Sequence, residues 1–198
     1  MLQLAMVQPG STVYDRQGRI QGKLNIPLSD QGDEEVERLI AQLETLPLKT
    51  VYTAACQAAE ETAERISEAL GIKYRLLDSL TNVDHGLWEG MLVDEVKRKH
   101  PKVYRRWDDL AENVCPPDGE TMGEARDRIQ YSLKKILKKH SSGVVAIVLP
   151  QPLSSLGQLC LTEGDLGSPW VVQENHTGWN LFAPQGSLVS AGGVKNAS

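Results

Sequence analysis

The side chains of this sequence that are able to carry out chemistry are few and far apart along the chain. The histidines and cysteines are His85, His100, His140, His176, Cys56, Cys115 and Cys160. No two of the cysteines have the CxxC spacing of a zinc site, and no two of the histidines form a chelating pair. Asp78, Asp84 and Asp118 are more typical of turns and loops than of metal ligands. The sequence therefore predicts neither a metal site nor a bound cofactor.

Four side chains are candidates for a nucleophile or for a polar contact in a ligand site: Ser11, Thr12, Cys56 and His85. An activated nucleophile needs a neighbouring base, as in Ser–His or Cys–His pairs. No spacing in the chain indicates such a pair, although a Ser–His–Asp set assembled by the fold stays open. The simpler interpretation of Cys56 is a small buried thiol, and that of His85 is a packing role. Ser11 is able to cap the backbone that follows it.

Composition and charge exclude several classes of function. The chain has 198 residues, with 21 basic and 26 acidic side chains and a net charge of −5. It lacks the basic footprint of a nucleic-acid-binding protein, and we interpret the lysine-rich segments 97–100 and 134–140 as solvated helix ends. The longest apolar segments are too short to cross a bilayer. Scattered cysteines in odd number suit a reducing compartment. These features predict a cytoplasmic protein without nucleic-acid or membrane partners.

Alternating strand and helix patterns position these residues. Apolar runs predict strands at Leu2–Val7, Thr50–Thr53, Tyr74–Leu77 and Val144–Leu149, with further strands near Val171–Val172, Leu181 and Leu188–Val189. Helical spacing predicts a helix from Ser29 and Asp30 to Leu43 and others over Ala58–Leu70, over Val93–Leu110 with a break at Pro101, and over Glu120–His140. This alternation predicts an α/β protein with three layers, α/β/α, and a mostly parallel central sheet. We predict a single domain over residues 1–190 and a flexible tail over 191–198.

The loops that leave the two most apolar strands are expected to form the ligand site. Ligands of open α/β sheets bind in a crevice at the carboxyl ends of the strands. The strands ending at Val7 and Leu149 are the most apolar, and we expect both to be central. Their exit loops read QPGS (8–11) and PQPL (150–153), so these two segments should meet in the crevice. The rest of the first connection, as far as Pro27, is predicted to be a polar loop.

Longer motifs resemble those of the histidine phosphatase superfamily, the phosphoglycerate mutase-like enzymes. The opening MLQLAMVQPGSTVYDRQGRIQGKLNIPLSDQG (1–32) is similar to the family's VRHGET and GRxQGxxDxPLxxxG segments. VYTAACQAAEETAERISEALG (51–71), LTNVDHGLWEG (80–90) and PPDGETMGEARDRI (116–129) are similar to VYTSPLxRAxxTA, LxExxFGxWEG and PPGGESxxxxxxR. VVAIVLPQPLSSL (144–156) stands where VLVVSHGGxxRxL is expected. The resemblance implies the phosphoglycerate mutase-like fold.

The resemblance also assigns each catalytic role of the family to a position of this chain. In the family a histidine attacks phosphorus, a second histidine and two arginines surround the phosphate, and a glutamate protonates the leaving group. The corresponding residues here are Pro9 for the nucleophile, Pro150 for the second histidine, Gln8 and Ala58 for the arginines, Asn82 for the acid, Asp15 for a phosphate-binding asparagine, and Gln151 and Pro152 for two glycines. Every one of these positions differs from the family pattern.

These replacements remove the family chemistry, while the surrounding motifs persist. Proline has neither a lone pair for attack nor a backbone N–H, so Pro9 and Pro150 fill neither histidine role. Turn glycines such as Gly10 and Gly22 still match. The contrast is typical of a pseudoenzyme, and we interpret the chain as a catalytically inactive member with a binding or regulatory role. The alternative is a divergent phosphatase or mutase-like enzyme with weak or altered activity in the same crevice.

The remaining polar groups indicate what such a crevice could bind. Gln8, Ser11, Asp15 and Gln151 are the candidate contacts to a small molecule. Gln8 keeps an amide but no charge, and Asp15 repels anions, so the crevice is expected to be neutral or acidic. The expected partner is therefore a small molecule or another protein, and a homodimer is a further option.

Overall fold

The structure, a computed structural model, describes residues 1–109, 115–161 and 178–183. Its strands are β1 (Leu2–Val7), β2 (Leu48–Ala54), β3 (Lys73–Leu77), β4 (Gly143–Val148) and β5 (Trp179–Phe182). Its helices are α1 (Val13–Gln17), α2 (Asp30–Leu43), α3 (Gln57–Leu70), α4 (Val93–Lys99), α5 (Pro101–Asp109), α6 (Met122–Lys139) and α7 (Leu153–Leu161). The strands predicted near Val171–Val172 and Leu188–Val189 and the predicted tail lie outside the described residues.

The five strands form one sheet in the order β3-β2-β4-β1-β5. The three pairs formed among β1 to β4 are parallel, and β5 runs antiparallel to β1. Strands β1 and β4 pair along their whole length, from Leu2 opposite Gly143 to Val7 opposite Val148. Both lie inside the sheet, as their apolar sequences predict. The mostly parallel α/β fold expected from the sequence is confirmed.

Helices pack on both faces of the sheet, and the long helices α2, α3 and α6 each bury one side. Helix α3 packs on β2 and β3 and contacts α2, whereas α6 packs against α7, which contacts β1. In α6 the buried stripe includes Ile129, Leu133 and Ile136. Each such side chain contributes about 1.5–3 kcal/mol when it leaves water, so the amphipathic pattern alone accounts for the docking of this helix.

Local signals set most helix boundaries. The Ser29 side chain accepts a hydrogen bond from the Gly32 N–H and begins α2, as its sequence predicts. Gly71 adopts the left-handed conformation that ends α3. The Pro101 ring begins α5 after α4 has ended, which is the break expected there. Thr121 and Glu124 form a capping box that begins α6 two residues later than Glu120.

The prediction of a polar loop after β1 is wrong for residues 13–17, which form α1. The Thr12 side chain accepts hydrogen bonds from the backbone of Tyr14 and Asp15, and the Asp15 carboxylate accepts from the Thr12 N–H at 2.7 Å. This capping box stabilises a helix too short to show a periodic pattern. The cap is therefore Thr12, and the capping role considered for Ser11 is wrong.

Segment 153–161 forms a helix, α7, that the sequence pattern does not indicate. Its buried residues include Leu153, Ser154, Leu156, Gly157 and Cys160. These positions lie on one side of the helix, but two of them hold serine and glycine, and the other residues of the segment are half-buried and uncharged. Because apolar residues are not confined to the buried side, the sequence shows no amphipathic pattern.

The loop that leaves β1 is held by a close approach of backbones at the start of α2. A Cβ on Gly10 would lie 2.5 Å from the Gly32 carbonyl oxygen, and a Cβ on Gly32 would overlap the Ser11 carbonyl oxygen. That carbonyl accepts hydrogen bonds from the Ser29 N–H and hydroxyl, both at 2.9 Å. The Ser11 N–H donates to the buried Glu35 carboxylate at 2.8 Å. The first turn of α2 thus fixes the position of the loop.

We expect Gly32→Ala to lower the free energy of unfolding by about 1–3 kcal/mol, because the new methyl group meets backbone atoms that cannot move independently. The matched control is Gly178→Ala, where a Cβ has no neighbour within 4 Å. Urea unfolding of both variants measures the difference. Equal stability of the two variants would show that the close approach does not constrain the loop.

Candidate active site

The structure places the exit loops of β1 and β4 side by side at the carboxyl edge of the sheet. The Leu149 N–H donates to the Val7 carbonyl at 2.9 Å, which continues the pairing of the strands into the loops. The next residues are Gln8 and Pro9 in one loop and the buried Pro150 in the other. Pro9 and Pro150, which correspond to histidines in the family that the sequence resembles, are therefore close to each other at this edge.

Helix α3 brings the position of a family arginine to the same edge. The Gly10 N–H donates to the Thr62 hydroxyl at 3.2 Å, and that hydroxyl donates to the Ala58 carbonyl at 2.8 Å. Thr62 thus ties the loop after β1 to the first turn of α3. Ala58 is 1% exposed, whereas Gln8 is 6% exposed. Neither position supplies a positive charge.

Asn82 joins the segment that follows α1 to the exit loop of β4. Its side-chain amide donates to the Gly22 carbonyl at 3.0 Å and to the Gln151 carbonyl at 3.2 Å. The residue is 1% exposed, so both hydrogen bonds are shielded from water and are strengthened by the low local dielectric. A carboxylate has no N–H to donate, and the family's glutamate could not make these bonds in its ionised form. Asn82 donates hydrogen bonds to two backbone carbonyls. The resemblance assigns this position to a glutamate that donates a proton to the substrate.

A second hydrogen-bond network, centred on Arg128, fixes the segment that carries Asn82. The Arg128 guanidinium donates to the carbonyls of Ser79, at 3.1 Å, and Thr81, at 2.5 Å, and to the Glu120 carboxylate at 2.6 Å. Glu120 also accepts from the Asp84 N–H at 3.0 Å. The residues on both sides of Asn82 are therefore fixed. Sequence analysis does not identify this support, although both residues lie in the retained PPDGETMGEARDRI segment.

Three charged side chains of the first connection have partners within the protein. Asp15 accepts from both the N–H and the hydroxyl of Thr12, each at 2.7 Å. Lys23 forms an ion pair with Asp84 at 2.5 Å. The Arg19 guanidinium donates to the Gly90 carbonyl at 2.7 Å. The expectation of a neutral or acidic crevice stays a prediction.

Cys56 shows no sign of activation as a nucleophile. The residue caps the start of α3 and is 3% exposed. Burial raises the pKa of its thiol to about 11, and the nearby Asp15 carboxylate acts in the same direction. A thiol with this pKa is protonated at neutral pH and does not attack. The buried-thiol interpretation fits this environment.

Ser11 and Gln151 differ in how they could meet a ligand. The Ser11 hydroxyl is buried and has no hydrogen-bond partner among the described residues. Gln151 is exposed, and its side-chain oxygen accepts from the Ser155 hydroxyl at 2.8 Å. Of the four candidate contacts, Asp15 is engaged in a helix cap and Gln151 in a contact with α7. Gln8 and Ser11 both lie in the loop after β1.

His85 is buried in the turn beside Asn82. It is 2% exposed, and the Trp88 N–H donates to its carbonyl at 3.0 Å. Burial lowers the pKa of the imidazole to about 4, although the neighbouring Asp84 carboxylate acts in the opposite direction. The ring is therefore neutral at pH 7. An uncharged, enclosed ring at a position that is aromatic in the family fits the packing role.

The described residues contain no group of three or more metal-binding side chains. In that part of the chain no helix combines the length and the apolar character needed to cross a membrane.

Together the fold and the edge define the class: an open α/β protein whose ligand edge is formed by the loops after β1, β2 and β4. The chain belongs to the histidine phosphatase superfamily (branch 1), whose sequence pattern it matches over residues 4–187. It is 30% identical over 148 residues to phosphoserine phosphatase 1 of Hydrogenobacter thermophilus, covering 75% of this chain and 70% of that protein. It is 29% identical over 138 residues to a probable phosphoglycerate mutase, GpmB, of an Enterobacter strain, covering 70% and 64%.

Solved structures show the same fold. A mycobacterial glucosyl-3-phosphoglycerate phosphatase superposes with a TM-score of 0.79 at 19% identity, covering 90% of this chain and 88% of that one. A phosphoserine phosphatase from Entamoeba histolytica superposes with a TM-score of 0.78 at 21% identity, covering 92% and 91%. These superpositions show that the chain has the phosphoglycerate mutase-like fold.

We expect Asn82→Asp to lower the free energy of unfolding by about 3–5 kcal/mol at pH 7.5, because a buried carboxylate would face two carbonyl oxygens. Part of the loss should be recovered below about pH 4, where a protonated carboxyl donates one hydrogen bond. The matched control is Asn180→Asp on the exposed side of β5. Chemical unfolding at several pH values tests this, and a control variant that is equally destabilised would contradict it.

The buried imidazole of His85 makes stability depend on pH. Since its pKa is about 4 in the folded chain and 6.5 as a free side chain, only the unfolded chain takes up this proton between those values. The free energy of unfolding should therefore fall as the pH drops from 6.5 to 4, by roughly 3 kcal/mol from this group. The variant His85→Phe should remove that contribution, whereas Leu87→Phe, at an exposed position of the same turn, should keep it. Identical pH profiles of His85→Phe and the wild type would contradict the assignment.

Proposed function

We propose that this chain is a catalytically inactive member of the histidine phosphatase superfamily that acts by binding rather than by turnover. The observation that carries the proposal is the presence of Pro9 and Pro150 at the two histidine positions, side by side at the carboxyl edge. A proline offers no lone pair for attack on phosphorus and no N–H for a phosphate oxygen. Loss of the nucleophile removes the covalent route, whatever the other residues do.

The neutral surroundings support the same proposal. Transfer of a phosphoryl group with nearly two negative charges requires fixed positive groups around its oxygens. Here Gln8 and Ala58 replace the arginines, and Lys23 is paired with Asp84. Loss of one stabilising group alone costs about 10²–10³ in rate.

The role of the site would then be to hold a ligand or a partner. A histidine-to-alanine variant of the Entamoeba phosphoserine phosphatase, which shares 21% identity with this chain, has been crystallised with phosphoserine. A site of this fold can therefore bind a ligand without one of its histidines. In this chain, the buried Ser11 hydroxyl in the loop after β1 has no hydrogen-bond partner among the described residues and is the group that a small molecule would engage. A protein partner, or a second copy of the chain, is the other form that such a binding role could take.

The second candidate function is that of a divergent phosphatase or mutase-like enzyme. The names of the relatives favour it, since they are phosphatases and a probable mutase. The residue that such an enzyme would need is a new nucleophile, and the Ser11 hydroxyl is the buried polar group without a described partner in the loop after β1. The base nearest to it in the described contacts is the buried Glu35 carboxylate, which accepts from the Ser11 backbone N–H at 2.8 Å and not from the hydroxyl.

Phosphomonoester hydrolysis distinguishes the two functions. With p-nitrophenyl phosphate and phosphoserine, we expect release of inorganic phosphate to equal that of buffer, and orthovanadate titrated in a calorimeter to give no binding heat. Turnover that is lost in Ser11→Ala and kept in the exposed control Ser142→Ala would overturn the proposal in favour of the divergent enzyme. Vanadate binding without turnover would retain the inactive assignment and identify the site as an anion site.

A further inference from the structure

A second surface lies at the opposite end of the strands from the candidate active site. We define the basic face as Lys49, Lys73, Arg75, Lys138 and Lys139, all of which are exposed. Lys49 is near the start of β2, Lys73 begins β3, and the two other lysines end α6. These positions are at the amino ends of parallel strands, so the basic face is remote from the loops that follow β1 and β4.

Contacts within the sheet bring these residues together. Tyr52 and Arg75 are paired neighbours on β2 and β3, and the Tyr52 hydroxyl lies 2.9 Å from Nε2 of His140, the residue that follows α6. The Lys49 ammonium lies 3.4 Å from the Ser142 hydroxyl in the same connection. Burial, followed by the charges of Lys139, Lys49 and Arg75, lowers the pKa of His140. Three positive charges from separate elements therefore act on one imidazole.

The positive charges of the basic face are not neutralised by the described part of the chain. None of its five residues forms an ion pair with a described residue. On α6, the residues one turn before Lys134, Lys135 and Lys138 include no acid. Such a concentration is unusual in a chain of net charge −5. The lysine-rich end of α4 differs from the end of α6 in this respect. There Lys97 forms an ion pair with Asp94, and Lys99 forms one with Glu95.

The edge of the sheet beside the basic face is open. Strand β3 is the last strand in the order β3-β2-β4-β1-β5, and among the described residues nothing pairs with its outer side. An edge strand presents unpaired N–H and C=O groups that an extended chain can bind. Antiparallel pairing with a second copy of β3 would place the two Arg75 side chains opposite each other when centred on Arg75, or Lys73 opposite Arg75 when centred on Tyr74, and like charges opposed across strands are destabilising.

We propose that the basic face and the open edge of β3 form a docking surface for an extended acidic segment of a partner protein, which adds to the sheet as a further strand. The partner's backbone pairs with β3, and its acidic side chains contact Lys73, Arg75 and Lys49. Nucleic acid lacks the backbone amides for this pairing. An anionic membrane can be attracted by a basic surface, but it would leave the backbone groups at the edge of β3 without hydrogen-bond partners.

The surface is separate from the proposed function. It uses no residue of the carboxyl edge, and it would act whether or not the chain hydrolyses phosphoesters. A failure of one proposal therefore leaves the other unaffected.

Fluorescence anisotropy with a labelled peptide of twelve alternating glutamates and valines tests the docking surface. We expect saturable binding that weakens by about tenfold or more between 50 and 300 mM salt, because the contacts are exposed charges. The double variant Lys49→Glu, Arg75→Glu should weaken binding by at least about tenfold. The matched control Arg98→Glu, Lys102→Glu makes the same charge change at exposed positions of α4 and α5 and should leave binding within about twofold.

Further measurements separate a docked strand from simple charge attraction. A peptide with proline at its centre should lose affinity, and peptide binding should slow hydrogen exchange over residues 73–77. Absence of binding, equal loss in the control variant, or tighter binding of a single-stranded DNA or of phosphatidylserine vesicles would overturn the proposal. Thermal unfolding of both double variants establishes that they are folded, so that a loss of binding can be attributed to the surface.

Discussion

The parallel pairing of β1 with β4 is the constraint on which the rest of the molecule depends. Two apolar strands that pair in register along six residues must deliver their next residues to the same edge of the sheet. Gln8–Pro9 and Pro150–Gln151 are neighbours for this reason alone. Because the pairing is made by backbone groups and buried aliphatic side chains, it does not depend on which residues follow at its end. A scaffold of this kind separates the stability of a site from its chemistry.

The edge is then completed by side-chain hydrogen bonds, most of them to backbone groups. The Asn82 amide connects the segment after α1 to the exit loop of β4, Thr62 connects the loop after β1 to α3, and Arg128 fixes the segment that carries Asn82. Each of these bonds joins elements that are far apart in the sequence. Together they fix the relative positions of the loops at the carboxyl edge.

Much of this architecture can be predicted from the sequence, because its signals are local and repeated. Apolar runs predict β1 and β4, and helical spacing with Ser29 and Gly71 predicts α2 and α3. Helix α1 is not predictable in this way, since it depends on one capping box between Thr12 and Asp15. Helix α7 is missed because its buried side includes Ser154 and Gly157 and its other side carries no charge, so the sequence shows no amphipathic pattern. At the edge, the replaced positions can be read from motifs, but the bonds of Asn82 depend on two backbone carbonyls, Gly22 and Gln151, which no side-chain pattern encodes.

The bonds of Asn82 also limit which side chains this position tolerates. A glutamate here would break both bonds at once and place a buried carboxylate against carbonyl oxygens. A proton-donating side chain at this point of the edge therefore requires a different arrangement of the Gly22 and Gln151 backbone. The identity of one buried amide and the path of two distant segments of the chain have to change together.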